Sequence, residues 1–207
     1  MFEGSSVSSV YLSNLVKWGD SYNDSASAYL AGSSGYKLAQ NSGCDVAMHQ
    51  MFRLCTNLDS VYLDVGGSPY SSDFRIDATM MFERSMRSSS SPCIQLCTDF
   101  ANKLKNCERM FYNCSATYVY EELASIGSSL NLPYVTHANA MFANSKLQGK
   151  LYLSLPSVED TTYLVSGASY VTEVDIHANK FCGSEFSYCY YLENANLTIM
   201  GTEDVSF

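Results

Sequence analysis

Apolar residues in this chain recur as short clusters between polar stretches, and the clusters resemble one another. "QMFRLCTNLDSVYLDV" from Gln50, "RMFYNCSATYVYEEL" from Arg109 and "AMFANSKLQGKLYLSL" from Ala140 each open on Met-Phe and carry a small residue or cysteine three positions after the Phe. Taking the Phe as an anchor, the full motif occurs at Phe2, Phe52, Phe82, Phe111 and Phe142, with Ser5, Cys55, Ser85, Cys114 and Ser145 in the small slot. After Phe52 the apolar positions continue as Leu58, Val61 and Leu63, and this template recovers two units that lack Met-Phe. One is anchored at Val165, with Ala168, Val171, Val174 and Ile176; the other at Phe186, with Cys189, Leu192, Ala195 and Leu197. A weaker copy at Leu30 divides the long gap after Phe2. Successive anchors are then 28, 22, 30, 29, 31, 23 and 21 residues apart. Residues 1–207 are therefore read as one irregular array of about eight repeats, and such a period belongs to repeat architectures.

The alternation in Val61-Tyr62-Leu63, Leu151-Tyr152-Leu153 and Val174-Asp175-Ile176 has the period of a strand with one buried face. Each unit thus predicts one short strand, parallel to its neighbours, with the Met-Phe segment forming a turn or short helix on the opposite wall. No unit of this length buries a Met and a Phe by itself, so neighbours must supply the rest of the core.

With 46% hydrophobic residues the chain has enough apolar material for a sizeable core, and with only 16% charged residues and 16 Tyr its surface is hydroxyl-rich. A formal charge of −9 repels a phosphate backbone, so nucleic acid is excluded as a partner class. Apolar runs fall short of a membrane span, so membrane insertion is not expected. The opening "MFEGSSVSSVYL" lacks a basic segment followed by an apolar one. Because Met1-Phe2 already lies inside the motif, the chain is expected to be a fragment of a longer protein.

The eight cysteines include no C-x-x-C pair, so no metal and no cofactor is expected. Four residues before the anchors stand Met48, Ala78, Cys107, Ala138 and Cys182. Cysteine thus alternates with Met, Ala and Ser in two equivalent slots, and Cys55, Cys107, Cys114, Cys182 and Cys189 are expected to act as small core fillers.

Met51-Phe52 with Cys55, Leu58, Val61 and Leu63, Asn106-Cys107 with Met110-Phe111 and Cys114, and Met141-Phe142 with Ser145, Leu151 and Leu153 together resemble the BspA-like, or Treponema-type, leucine-rich repeats of surface proteins. Leu153-Ser154-Leu155-Pro156-Ser157-Val158 is similar to the segment that leads from one strand to the next unit in that family. The resemblance implies a β-rich solenoid, a leucine-rich-repeat-like right-handed coil with one short parallel strand per repeat. It also implies a non-catalytic protein of the cell surface or extracellular space that mediates adhesion or receptor recognition through a host-cell protein or glycan. The alternative is a structural or receptor-binding component of a phage virion, with self-association through the solenoid ends.

Outward strand positions are where such a protein meets its ligand. Fixed offsets from the anchors give Gln40, Tyr62, Pro92, Glu121, Tyr152, Asp175 and Asn196 as one outward row, joined by Tyr11 if the first unit is one residue short. The next outward position adds Asp64, Ser154, His177 and Thr198. Tyr11, Tyr62, Asp64, Tyr152, Ser154, Asp175 and His177 form the candidate ligand-binding face. Tyrosine offers a flat apolar body with a polar tip, which suits interfaces, although it also favours strands for packing reasons alone. The register lines up no cluster of carboxylates or bases, so an enzyme is not expected.

Overall fold

A computed structural model describes residues 2–12, 44, 46–64, 74–88, 90–121 and 127–200. The strands among them are β1 (Ser9–Leu12), β2 (Val46–Ala47), β3 (Ser60–Leu63), β4 (Ile76–Asp77), β5 (Cys93–Leu96), β6 (Leu104–Asn106), β7 (Tyr118–Glu121), β8 (Ser128–Asn131), β9 (Gly149–Leu155), β10 (Val171–Ala178) and β11 (Asn194–Ile199), with one short helix, α1 (Thr98–Ala101). The larger sheet has eight strands in the order β1-β3-β5-β7-β8-β9-β10-β11 and the smaller has three, β2-β4-β6. Every pairing is parallel. Parallel neighbours require an excursion between strands, and a Met-Phe segment lies in the excursions before β3, β5, β7 and β9. Single bridges from Asn106 to His137 and from His137 to Asp160 continue the smaller sheet. Among the described residues no helix is long and apolar enough to cross a membrane.

The Met-Phe turn has a repeated backbone geometry. Two residues before and two after the anchor, φ is positive: 54° at Gln50 and 58° at Leu54, 55° at Met80 and 56° at Arg84, 52° at Arg109 and 51° at Asn113. A side chain in this left-handed region costs about 1–2 kcal/mol, so something must hold it there. The next unit does, by accepting the turn's amides. Gln50, Phe52 and Leu54 donate to the carbonyls of Thr79, Met81 and Glu83 at 3.1, 2.9 and 3.0 Å. Arg109, Phe111 and Asn113 donate in the same way to Asn139, Met141 and Ala143 at 2.9, 2.8 and 2.8 Å. Asp77, Asn106 and Asp160 open their turns by accepting the amide two residues on, from Thr79, Glu108 and Thr162, which is the Asx-turn arrangement.

Inside this wall the anchor rings form a ladder. Phe2, Phe52, Phe82, Phe111 and Phe142 stack in sequence with centroid separations of 5.4, 5.1, 5.5 and 5.1 Å and interplanar angles of 15° or less. The small slots form a second ladder beside it, where Ser5 Oγ lies 3.6 Å from Cys55 Sγ and Ser85 Oγ 3.4 Å from Cys114 Sγ. Cys55, Cys107 and Cys114 are buried and Cys189 is half-buried, as small fillers should be; all eight cysteines are free. Cys182 departs from that expectation. It is exposed, because the unit anchored at Phe186 has no following unit among the described residues to cover it.

Two features alter the repeat arrangement. Phe2 stacks directly on Phe52, and β1 pairs directly with β3 through Ser9–Ser60 to Leu12–Leu63. No unit intervenes between them, and the Leu30 anchor lies outside the described residues. Conversely, β8 enters the sheet between β7 and β9 without a Met-Phe turn of its own, while Phe111 and Phe142 remain neighbours on the opposite wall.

Candidate functional site

The outward side of the larger sheet carries a continuous row, one residue per strand. Register pairs join Tyr11 to Tyr62, Tyr62 to Gln95, Gln95 to Tyr120, Tyr120 to Ser129, Ser129 to Tyr152, Tyr152 to Asp175 and Asp175 to Asn196. Their strand neighbours Val61, Leu63, Ile94, Leu96, Val119, Leu151, Leu153, Val174 and Ile176 are buried, so the alternation of apolar and polar residues fixes which face looks out.

Tyr11, Tyr62, Tyr152, Asp175 and Asn196 stand where the sequence puts them, and the first unit is indeed one residue short. Pro92 and Glu121 do not stand in the row; Gln95 and Tyr120 occupy those rungs. In the unit anchored at Phe82 the strand begins eleven residues after the anchor, and in the Phe111 unit seven, against eight after Phe52. A fixed offset therefore slips. The signal that finds the right residues is the local triplet, Ile94-Gln95-Leu96 or Val119-Tyr120, rather than distance from the Phe. Ser129 was not foreseen, since β8 has no anchor, and Gln40 lies outside the described residues.

The seven residues singled out from the sequence fall into two groups. Tyr11 lies on β1, Tyr62 on β3 and Asp64 just after it; Tyr152, Ser154, Asp175 and His177 lie on β9 and β10. Four strand steps separate β3 from β9, about 19 Å at the usual interstrand spacing. In the first group the Tyr11 and Tyr62 rings stack face to face, 4.7 Å apart and 7° from parallel. Asp64 sits just past β3, its amide donating to Leu12 O at 2.8 Å and its carboxylate accepting from the Cys97 thiol at 3.1 Å. Beside the stacked pair lies a shallow depression of about 200 Å³ that also reaches Ser60, Cys93, Gln95 and Tyr120. Burial, with the neighbouring Cys93 thiol, pushes the Tyr120 hydroxyl pKa up.

The second group is more polar. Asp175 Oδ1 accepts from Asn196 Nδ2 at 2.9 Å and lies 3.1 Å from His177 Nε2. The Tyr152 ring packs at 5.6 Å and 47° against the His177 imidazole. Lys150 Nζ and Glu173 Oε1 form an exposed pair at 2.8 Å. Ser154 and His177 are register partners, yet no hydrogen bond joins their side chains. Between the groups, Glu121 at the end of β7 accepts from the Asn131 amide, and burial raises its carboxyl pKa despite that bond. Among the described residues no three His, Cys, Asp or Glu side chains converge on a point that could hold a metal ion.

Compared with protein-family models, with curated proteins and with solved structures, the chain matches none.

Proposed function

We propose that the chain is a leucine-rich-repeat-like solenoid of a surface protein, in the manner of the BspA-like repeats, and that it works by binding rather than catalysis. The observation that carries this reading is the outward row in which Tyr11, Tyr62, Tyr120 and Tyr152 share one register with Gln95, Ser129, Asp175 and Asn196. A rigid parallel sheet fixes the spacing of these side chains before any partner arrives, which lowers the ordering cost of association. Tyrosines held in this way contribute contact area with little rotamer entropy to lose. Adhesion or receptor recognition at a cell surface, against a host protein or glycan, follows from this face and from the repeat motif. The test is cell binding by the wild type and by the variant Tyr11→Ala/Tyr62→Ala/Tyr152→Ala, which should lose most of it; equal binding by both would move the site off this face.

One observation favours a second reading, a structural or receptor-binding part of a phage virion. On β11, Leu197 and Ile199 are 43% and 44% exposed, whereas their register partners Ile176 and Ala178 are fully buried. An apolar strand open in this way suits end-to-end assembly between copies. Sedimentation velocity separates the readings: concentration-dependent oligomers without cell binding support the second, and a monomer that binds cells supports the first.

A further inference from the structure

We propose that the β1 to β9 part of this face takes a neutral, extended, β-linked glycan, laid across the strands with one pyranose ring seated in the depression beside Tyr62. This rests on the binding-face reading above and narrows its ligand.

The depression, about 200 Å³ in volume, is bounded by Tyr11, Tyr62 and Tyr120, with Ser60, Cys93 and Gln95 between them, and among the described residues no Asp, Glu, Lys, Arg or His lines it. A phosphorylated, sulfated or sialylated ligand would enter it with its charge unpaired, at a desolvation cost nothing there repays. An extended peptide recognises a sheet through an open edge, where backbone groups are free. The depression is on a sheet face, where β3 and β5 already spend their backbone groups on a strand at either side and β1 pairs on one side with β3. What it offers instead is aromatic surface beside hydroxyl and amide groups. These groups both donate and accept, and sugar hydroxyls require partners of that kind.

The row repeats this chemistry with a definite step. Counting along the sheet, Tyr11 occupies the first rung, and from Tyr62 onward tyrosine takes every second rung, the second, fourth and sixth, as Tyr62, Tyr120 and Tyr152, with Gln95 and Ser129 between them. Two rungs span about 9.6 Å at the usual interstrand spacing. That is close to the disaccharide repeat of an extended β-1,4-linked hexopyranose chain, and a single rung is close to the length of one ring. A glycan of this type crossing the strands meets the same environment every second sugar. An α-1,4-linked glucan coils and falls out of step after one or two residues.

The test is calorimetric titration of the chain with cellohexaose and with N-acetylated chitohexaose, with maltohexaose as the control. At least one β-1,4 hexamer should bind more tightly than its own disaccharide, and maltohexaose should not bind. Tyr62→Ala and Tyr120→Ala should each weaken binding about tenfold, the effect of losing one aromatic contact. Gln95→Ala, which removes only an outward amide, should weaken it less with the fold intact by circular dichroism. Tyr190→Ala, 76% exposed and outside the row, should leave it unchanged. Failure of both β-1,4 hexamers to bind, or equal binding of maltohexaose, overturns the glycan assignment. In that event loss of cell binding by the triple tyrosine variant would leave the binding face standing with a protein ligand, and its retention would remove both.

Discussion

Replacing Phe111 by Ala tests whether the aromatic ladder supports the whole array. Phe111 is fully buried and has a phenyl ring on either side, Phe82 at 5.5 Å and Phe142 at 5.1 Å. Truncating a buried Phe costs about 3–5 kcal/mol through lost transfer free energy and the cavity that remains. With two stacked partners, each worth about 0.5–1.5 kcal/mol beyond area, and backbones pinned on both sides by interunit hydrogen bonds, the site has little freedom to collapse. The expected loss is therefore about 4–5 kcal/mol, which for a chain of this size lowers Tm by about 8–20 °C. Phe2→Ala is the internal comparison. Phe2 is only half-buried and among the described residues has one ring partner, Phe52, so its loss should be about 1–2 kcal/mol. Phe142→Ala, with Phe111 on one side only, should cost about 3–5 kcal/mol. Urea unfolding followed by far-ultraviolet circular dichroism gives both midpoint and slope, and the slope shows whether the array still unfolds as one unit. If Phe111→Ala and Phe2→Ala shift the midpoint equally, or if neither shifts it by more than about 1 kcal/mol, the ladder is ornament and the core must lie elsewhere.

Acid stability should depend on Asp77. Burial pushes its carboxyl up, but hydrogen bonds from His49 and Thr79 outweigh that and hold it below its ordinary value of 3.8. A folded-state pKa depressed in this way contributes stability that is present above the ordinary value and lost as pH falls through the folded one. Asp77→Asn should thus be less stable than wild type at neutral pH, with the gap closing at and below pH 3–4; a gap independent of pH removes the carboxylate from the account. Glu121, raised by burial, works in the opposite sense, so the difference between the two proteins is the readout rather than either curve. Thiol chemistry should separate the cysteines: burial pushes the Cys107 and Cys114 thiols up, Asp77 adding to the effect at Cys107, while Cys182 is exposed. A disulfide reagent at pH 8 should modify Cys182 in the native protein and Cys55, Cys107 and Cys114 only after urea is added, as read by peptide mass spectrometry.

The ladder was legible in the sequence because its chemistry hardly varies: Phe, a small residue, then a Val/Leu/Ile pair astride an outward residue. The tyrosines of the face followed wherever that spacing was kept, at Tyr62 and Tyr152. Gln95 and Tyr120 were missed because the arc between turn and strand carries no ladder of its own, so its length drifts without cost and fixed offsets fail. β8 was invisible for a different reason. Ser128-Ser129-Leu130-Asn131 presents Leu130 as its only apolar side chain, and it is held in place by β7 and β9 rather than by any pattern of its own. The left-handed turn positions were also hidden, since Gln50, Leu54, Met80 and Arg84 are not residues that advertise positive φ. Contacts between units, which no local window contains, impose that conformation.

At the anchor position of the turns the interunit hydrogen bonds run one way. Phe2 donates to Met51, Phe52 to Met81, Phe82 to Met110, Phe111 to Met141, Phe142 to Leu164 and Val165 to Glu185. At this position each unit presents an amide to its successor and a carbonyl to its predecessor, so the anchor edges of different units are alike. Duplicating or deleting a unit that carries a single strand should keep this bonding across the new junction, and the outward row should gain or lose one rung. Such a molecule can change the length of its outward face by recombination alone, with point mutation left free to rewrite each outward side chain.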